Sequence, residues 1–592
     1  MRNLRSYGYD KKTGAVAASA AVTTFLVYLP ALWNGFVNWD DPDYVYSNPR
    51  ILHLDLQFLK WAFTTFHASN WHPLTWLSHA ADYALWGLNP MGHHLSSILL
   101  HALNTFLVVI LSTRLIRLAL PQGEREEGGR GALLAGALTG LLFGLHPLHV
   151  ESVAWVSERK DVLCAFFFLL SMLQYLTYAA AAQGSGRRRH YASSLSLFAL
   201  ALLSKPMAVS LPVVLLILDV YPLGRLQGKT ALTSQRRVLL EKVPFVLLAA
   251  ASSMVTIAAQ NAGGAIMSSE VYPFGERFWV ALRGLFFYLL NMLWPSGLSP
   301  MYPYPSGVEV WRIEYMGALM AAIGITVFCI LMWKRQKAFA SAWAYYTVAL
   351  LPVLGIVQVG GQAAADRYTY LPSLGPFLLL GVGAARLSDI ARKERSRIRS
   401  ILTNAVVCTI IVVMAAATVQ QTAIWKDSMA LWTKAINLSP EQAYIAYYNR
   451  GRHFAVAGAY QKAAEDYGKA LQIKPRFARA AYSLGVVHDY YFKNYPEALQ
   501  CYSRAIEINP YYAKAYNNRG AVYATLGDYL RAIEDFNNAI RLDGQDADAY
   551  YNRGMAYKML NEHDEAARDF QIAVQMGNEQ AQLFLGPMGS DR

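Results

Sequence analysis

The sequence predicts an all-α protein in two parts, a polytopic membrane helix bundle of about eleven spans over residues 1–425 and an α-solenoid of paired helices over 426–592. Three observations predict it. Apolar runs follow one another as far as Trp425, and only 16% of the chain is charged, against about a quarter in an ordinary soluble protein. Lysines and arginines collect in short loops between those runs. Beyond Lys426 the chain turns polar, and glycines recur at a fixed period.

The apolar segments are 14–36, 94–118, 131–147, 161–182, 191–204, 206–221, 243–260, 278–294, 315–333, 340–358, 367–387 and 400–420. A span needs about 20 apolar residues, fewer where protein lines it. The first run is long enough to cross, and Asn34-Gly-Phe lacks a small-residue cleavage pattern, so it reads as an uncleaved helix and not a signal peptide. Basic loops at Arg2–Lys12, Arg114–Arg130, Arg187–Arg189, Arg225–Lys242, Lys334–Lys337 and Arg392–Arg399 should all be cytoplasmic. That parity fails if 278–294, with its internal Arg283, crosses. Treated as interfacial or re-entrant, it leaves a cytoplasmic N-terminus and external repeats. The external loops are then 37–93, 148–160, the bend at Lys205, 261–314 and 359–366.

The net charge of +13 raises nucleic acid as a partner, but the cations sit in membrane loops and form no continuous stripe, so none is expected. Cys164, Cys329, Cys408 and Cys501 form no CxxC pair and no disulfide framework.

In the second part Gly451, Gly485, Gly520 and Gly554 lie 34 or 35 residues apart. Twelve or thirteen residues after each comes Ala463, Ala498, Ala532 or Ala566, and an aromatic or histidine follows each glycine by three. This pattern resembles the tetratricopeptide repeat, here a half unit (431–440) and four full ones. Stacked helix pairs form a groove suited to an extended peptide, and Tyr447, Asn449, Tyr516, Asn517, Tyr550 and Asn552 are the candidates to line it. The same positions serve equally for contacts between repeats.

The external loops hold the polar residues. Asp40, Asp41 and Asp43 follow the first span, where acids are costly unless paired, solvated or used. A solvated helix stop accounts for them as well. Next come His72-Pro-Leu-Thr and Asn89-Pro-Met-Gly-His93-His94. Adjacent histidines point about 100° apart on a helix, so they make no HxxxH zinc pair. The second loop reads His146-Pro-Leu-His149-Val-Glu151, then Glu158-Arg159-Lys160-Asp161. Lys205 sits at a bend, and Asp366-Arg367-Tyr368 opens a later span on the same side. A polar cluster at one end of an apolar bundle is by default a candidate functional site.

The order of these motifs, followed by the repeats, resembles the transmembrane and tetratricopeptide-repeat O-mannosyltransferases of the C-type glycosyltransferase superfamily. The resemblance runs from Asn34 to about Gly554, with Pro206 where the family usually has an acid and His72 where it often has arginine. It implies an external-face site and a polyprenyl-phosphate-linked sugar, with a protein or peptide acceptor and the bilayer as partners. The chemistry agrees: such a donor needs cations for its phosphate and a carboxylate to activate the acceptor hydroxyl, with inversion by direct displacement. Asp41 is the expected base, with Asp40 second. Lys205 and Arg367 are expected to hold the phosphate, and Glu151 and Asp161 to bind acceptor or sugar. His72, His93, His149, Arg159 and Lys160 complete the substrate-binding set. The sequence assigns no cofactor; a divalent cation at the acidic external loops is the one candidate.

Two other classes fit in part. A related lipid-linked-sugar enzyme would act on lipid or polysaccharide, and a non-catalytic scaffold would use only the repeats. The orientation suits a bacterial inner membrane with periplasmic repeats, or the endoplasmic reticulum with lumenal ones.

Overall fold

The computed structural model describes residues 10–121, 129–181, 184–226, 232–267, 272–305, 307–393 and 397–585. It holds two compact units, Met1–Lys434 and Ala435–Arg592.

Among the described residues the first unit is mostly helical, with a two-stranded patch pairing Tyr302–Pro303 with Gln362–Ala364 and an isolated bridge between Ile266 and Val359. Its helices are α1 (Lys11–Tyr28), α2 (Leu56–Thr64), α3 (Pro73–Trp86), α4 (Pro90–Ala119), α5 (Gly129–Leu145), α6 (Val150–Ala154), α7 (Arg159–Ala180) and α8 (Ser185–Ser204). There follow α9 (Leu211–Val220), α10 (Leu232–Leu240), α11 (Val243–Ala262), α12 (Phe274–Leu293), α13 (Ile313–Met332), α14 (Lys337–Leu350), α15 (Leu374–Lys393) and α16 (Arg397–Ile424).

Among the described residues seven helical stretches are long and apolar enough to cross a membrane, and eight if the bent pair Gly129–Leu145 and Pro147–Ala154 counts as one span. A shorter apolar helix, Pro206–Val220, adds to these. The segment 278–294 lies in α12, outside the long apolar set, and its Arg283 stands 3.6 Å from Glu314. Leu247, Ile330 and Val412 project outward from α11, α13 and α16, as lipid-facing residues would.

Small residues let the central helices close together. Gly136, Gly140 and Gly144 fall every fourth residue on α5, so they share one face, and a Cβ on any of them would collide with Thr113, Val109 or Thr24. Gly381 of α15 meets Thr139 of α5 in the same way. Without a hydrophobic drive between helices in lipid, such close approach supplies the packing.

The stretch 148–160, expected as a loop, is a run of short helical turns buried in the protein. Pro147 cannot continue α5, and the chain bends by 51° into α6, turning back into the protein. Every residue from Phe143 to Ala165 is buried. The expected span 367–387 also starts later: Asp366–Thr369 is a 3-10 turn ahead of α15.

The second unit contains four helix pairs: Tyr444–Val456 with Tyr460–Ile473, Ala478–Val486 with Tyr495–Ile508, Ala513–Thr525 with Tyr529–Leu542, and Ala547–Met559 with His563–Gln575. Each periodic glycine faces an aromatic ring of the next helix. A Cβ on Gly451, Gly485, Gly520 or Gly554 would lie 2.7, 2.7, 2.8 or 2.9 Å from the ring of Tyr467, Tyr502, Phe536 or Phe570. The one 35-residue interval has its extra residue in a π-helical turn, Val487–Tyr491. Arg450–Asp466, Arg519–Asp535 and Arg553–Asp569 are bidentate pairs that tie the two helices of three repeats. The second repeat has Leu484 and Cys501 at the corresponding places.

Candidate active site

The site is assembled by α6, the start of α7, the turn at Lys205, the 3-10 turn at Asp366 and the segment after α1. Pro147 and Pro206 are the local cause, since each interrupts a helix and leaves polar side chains at the break.

Glu158 is the hub. Its carboxylate lies 3.0 Å from Lys160 Nζ, 3.1 Å from Lys205 Nζ and 3.3 Å from Arg367 Nε. Glu151 accepts from the Arg367 backbone N–H at 2.9 Å and from its guanidinium. Asp161 accepts from Lys205 Nζ at 2.6 Å and from Ser152 Oγ at 3.0 Å. Three cations and three acids thus interlock. The cations have the more open side chains, 13% exposed for Lys205 and 12% for Arg367 against 2% for Glu151 and Glu158, so a ligand would meet positive charge first.

Aromatic rings wall the cluster. Lys160 Nζ stands 4.5 Å from the centre of the Tyr44 ring, and the Arg367 guanidinium 5.5 Å from that of Trp155. Trp155 stacks in turn between Trp39 and Trp425. His72 contacts Tyr44 Oη at 3.4 Å, and burial, with Lys160 and Lys205 nearby, pushes its pKa well down, so its ring is neutral. Tyr302 Oη donates to Asp366 at 2.8 Å.

The acid pair divides. Asp41 is buried, with Oδ2 accepting from Val37 N–H at 2.8 Å and Oδ1 from the N–H of Ser157 at 3.0 Å and from its hydroxyl. Burial pushes its pKa up to about 6 against those bonds. The Asp40 carboxylate is half-buried and accepts no hydrogen bond from the described residues. Burial raises its pKa too, opposed chiefly by the charge of Lys160.

Of the expected substrate-binding residues, Glu151, Lys160, Asp161, Lys205 and Arg367 come together, with His72 at the edge. Three do not join them. His149 is packed among Phe143, Tyr370 and Phe377, bonded to the Phe143 carbonyl at 2.7 Å and Ser373 Oγ at 3.1 Å. Arg159 points the other way, to Asp82 at 2.8 Å and Ser97 at 2.7 Å, and His93 lies beside that pair. One step along the helix turns Arg159 by about 100° from Lys160, which separates the two clusters.

Glu158 was missing from the expected set. Its place in the run Glu158-Arg-Lys-Asp161 was the available signal, and its long-range partners were not readable there. In the repeats, Asn449 and Asn517 are buried, and Asn552 bonds Asn517 at 3.0 Å. Tyr447, Tyr516 and Tyr550 lie under Arg450, Arg519 and Arg553, so this set is largely engaged within the solenoid.

Tetratricopeptide-repeat models match residues 490–527, 513–546 and 536–568. The chain is similar to protein O-mannosyl-transferase TMTC4 of Mus musculus, at 27% identity over 70% of this chain and 59% of that protein. The Homo sapiens TMTC4 is 26% identical over 76% and 65%, and Tmtc1 of Drosophila melanogaster 25% over 75% and 60%. The chain therefore spans less than two thirds of the length of these relatives. The crystal structure of MamA matches 26% of this chain and 89% of its own at 26% identity, with a TM-score of 0.24. Over most of its length the chain is thus similar to proteins named protein O-mannosyl-transferases, and its C-terminal part matches tetratricopeptide-repeat models.

Proposed function

We propose that this membrane protein transfers a sugar, mannose by its kinship, from a polyprenyl-phosphate donor to Ser or Thr hydroxyls of a protein acceptor on the external face. The observation that carries this reading is the convergence of Arg367, Lys205 and Lys160 on the single carboxylate of Glu158, beside the unbonded carboxylate of Asp40.

Asp40 takes the proton of the acceptor hydroxyl as its oxygen bonds to the anomeric carbon. The bond from that carbon to the phosphate oxygen breaks on the opposite side, so configuration inverts and no covalent enzyme intermediate forms. The negative charge that develops on the leaving phosphate is met by Arg367 as a fork and by Lys205 as a point charge. Asp41 holds the loop that carries Asp40. The repeats supply the acceptor, and the site faces the periplasm of a bacterial inner membrane or the lumen of the endoplasmic reticulum.

The test is transfer of labelled mannose from mannosyl-phosphoryl-polyprenol to a Ser/Thr-rich protein by the purified chain. Label found only in lipid or polysaccharide would assign the acceptor to the related lipid-linked-sugar class. No transfer, with no donor binding, would leave a scaffold.

A further inference from the structure

Apart from the ionic cluster, α3 and the start of α4 bring together three side chains of a different chemistry. His79 and Asp82 are three residues apart on one face of α3, and His93 enters from the first turn of α4. One nitrogen of each imidazole and one Asp82 oxygen lie within 4.8 Å of one another, and all three residues are buried.

The hydrogen bonds fix what these atoms offer. His93 Nε2–H donates to the Gly87 carbonyl at 3.0 Å, so its Nδ1 carries a lone pair. That lone pair faces Asp82 Oδ2 at 3.6 Å, acceptor against acceptor. Neither ring nitrogen of His79 has a partner among the described residues, although the side chain is fully buried. Arg159 Nη1 stands 2.8 Å from Asp82 Oδ2 but out of line for a hydrogen bond, while Oδ1 accepts from Ser96 Oγ at 2.6 Å. A proton shared by His93 and Asp82 would settle that pair and leave His79 with two orphaned nitrogens. Unpaired buried polar groups are costly, so a reading that uses a lone pair of each of the three residues is preferred.

We propose that His79, Asp82 and His93 bind a divalent transition-metal ion, zinc by their chemistry. Two imidazoles and one carboxylate suit zinc with a fourth position left for a non-protein ligand. The supporting contacts match such a site: the Gly87 carbonyl holds the His93 tautomer, and Ser96 and Arg159 orient Asp82. The positive charge of Arg159 favours an anionic fourth ligand. The His79 ring centroid lies 6.1 Å from that of Tyr44, the ring that carries Lys160 on the candidate active site. The ion would clip α3 to α4 and so hold that wall.

The experiment uses the full chain in detergent, freed of any affinity tag, loaded with zinc and dialysed against a resin that removes weakly held metal. The expected result is about one zinc per chain, and a tetrahedral visible spectrum when Co²⁺ replaces it. His79→Gln, which removes no hydrogen bond, should lose the metal, and His94→Gln should keep it. Parent protein that is folded and retains no zinc overturns the proposal, whatever the variants do. Equal retention by His79→Gln and parent overturns it too. Because metal content is read directly, the outcome stands whether or not mannosyl transfer is found.

Discussion

Asp40 and Asp41 are neighbours in sequence and opposites in structure. Asp41 uses both carboxylate oxygens to hold Val37 and Ser157, while the Asp40 carboxylate accepts no hydrogen bond from the described residues. A base must be within reach of a substrate proton and have a lone pair to take it. Asp40→Asn should therefore lower mannosyl transfer at least about 100-fold, the typical contribution of a positioned base, and leave donor affinity within about threefold. Radiolabel transfer with saturating donor measures it. Activity close to the parent would remove Asp40 from the reaction.

Lys160 is the main charge favouring ionised Asp40. Burial raises the Asp40 pKa, and transfer needs the ionised form, so the rate should fall on the acid side at a pH above that of a free carboxylate. Lys160→Met removes the opposing charge and should move that acid limb to still higher pH. A pH–rate profile of the two proteins checks it; an unshifted limb would mean that another group titrates.

Asp41→Asn should act on stability more than on chemistry. An amide can accept from Ser157, but its NH₂ would then face the Val37 N–H, leaving a buried donor unmet at about 1–3 kcal/mol. The pH signature follows from the raised pKa. Between 3.8 and about 6 the folded parent binds more protons than the unfolded chain, so this carboxyl's contribution to stability falls as pH rises through that window. The Asn variant should lose that slope in thermal unfolding.

Arg367 bonds Glu151 and approaches Glu158, with its guanidinium over Trp155. Arg367→Ala should weaken donor binding by about 1.5–3 kcal/mol, the value of a charge-assisted bond. Arg367→Lys should restore only part of it, since an ammonium cannot act as a fork. Calorimetry with polyprenyl phosphate reads both.

Gly520→Ala would put a methyl 2.8 Å from Phe536 Cε1 and 3.1 Å from the Ala532 carbonyl. Overpacking of this kind costs about 1–3 kcal/mol. Faster amide exchange confined to residues 513–542 is the expected readout, with donor binding unchanged. Uniform exchange across the chain would show that the effect is not local.

What the sequence determined by itself is what local pattern can encode. Apolar runs and basic loops gave the membrane part, because partitioning into lipid depends on composition over about 20 residues. The glycine period gave the solenoid, and its single 35-residue interval marked the repeat that needs the π turn at Val487–Tyr491. The acids and cations between the apolar runs were legible as a group, since charge beside an apolar run stands out. What they do to one another was decided by tertiary structure alone. Glu151 meets Arg367 across 216 residues, and Asp41 meets Ser157 across 116. The bend at Pro147 buried a stretch that read as an external loop, sending Lys160 and Arg159 to different clusters and His149 into helix packing. Burial, orientation and hydrogen-bond partner fix whether an ionisable side chain is a base, an anion-holding cation, a metal ligand or a brace. All three are properties of the folded neighbourhood, which adjacent residues such as Asp40 and Asp41 do not share.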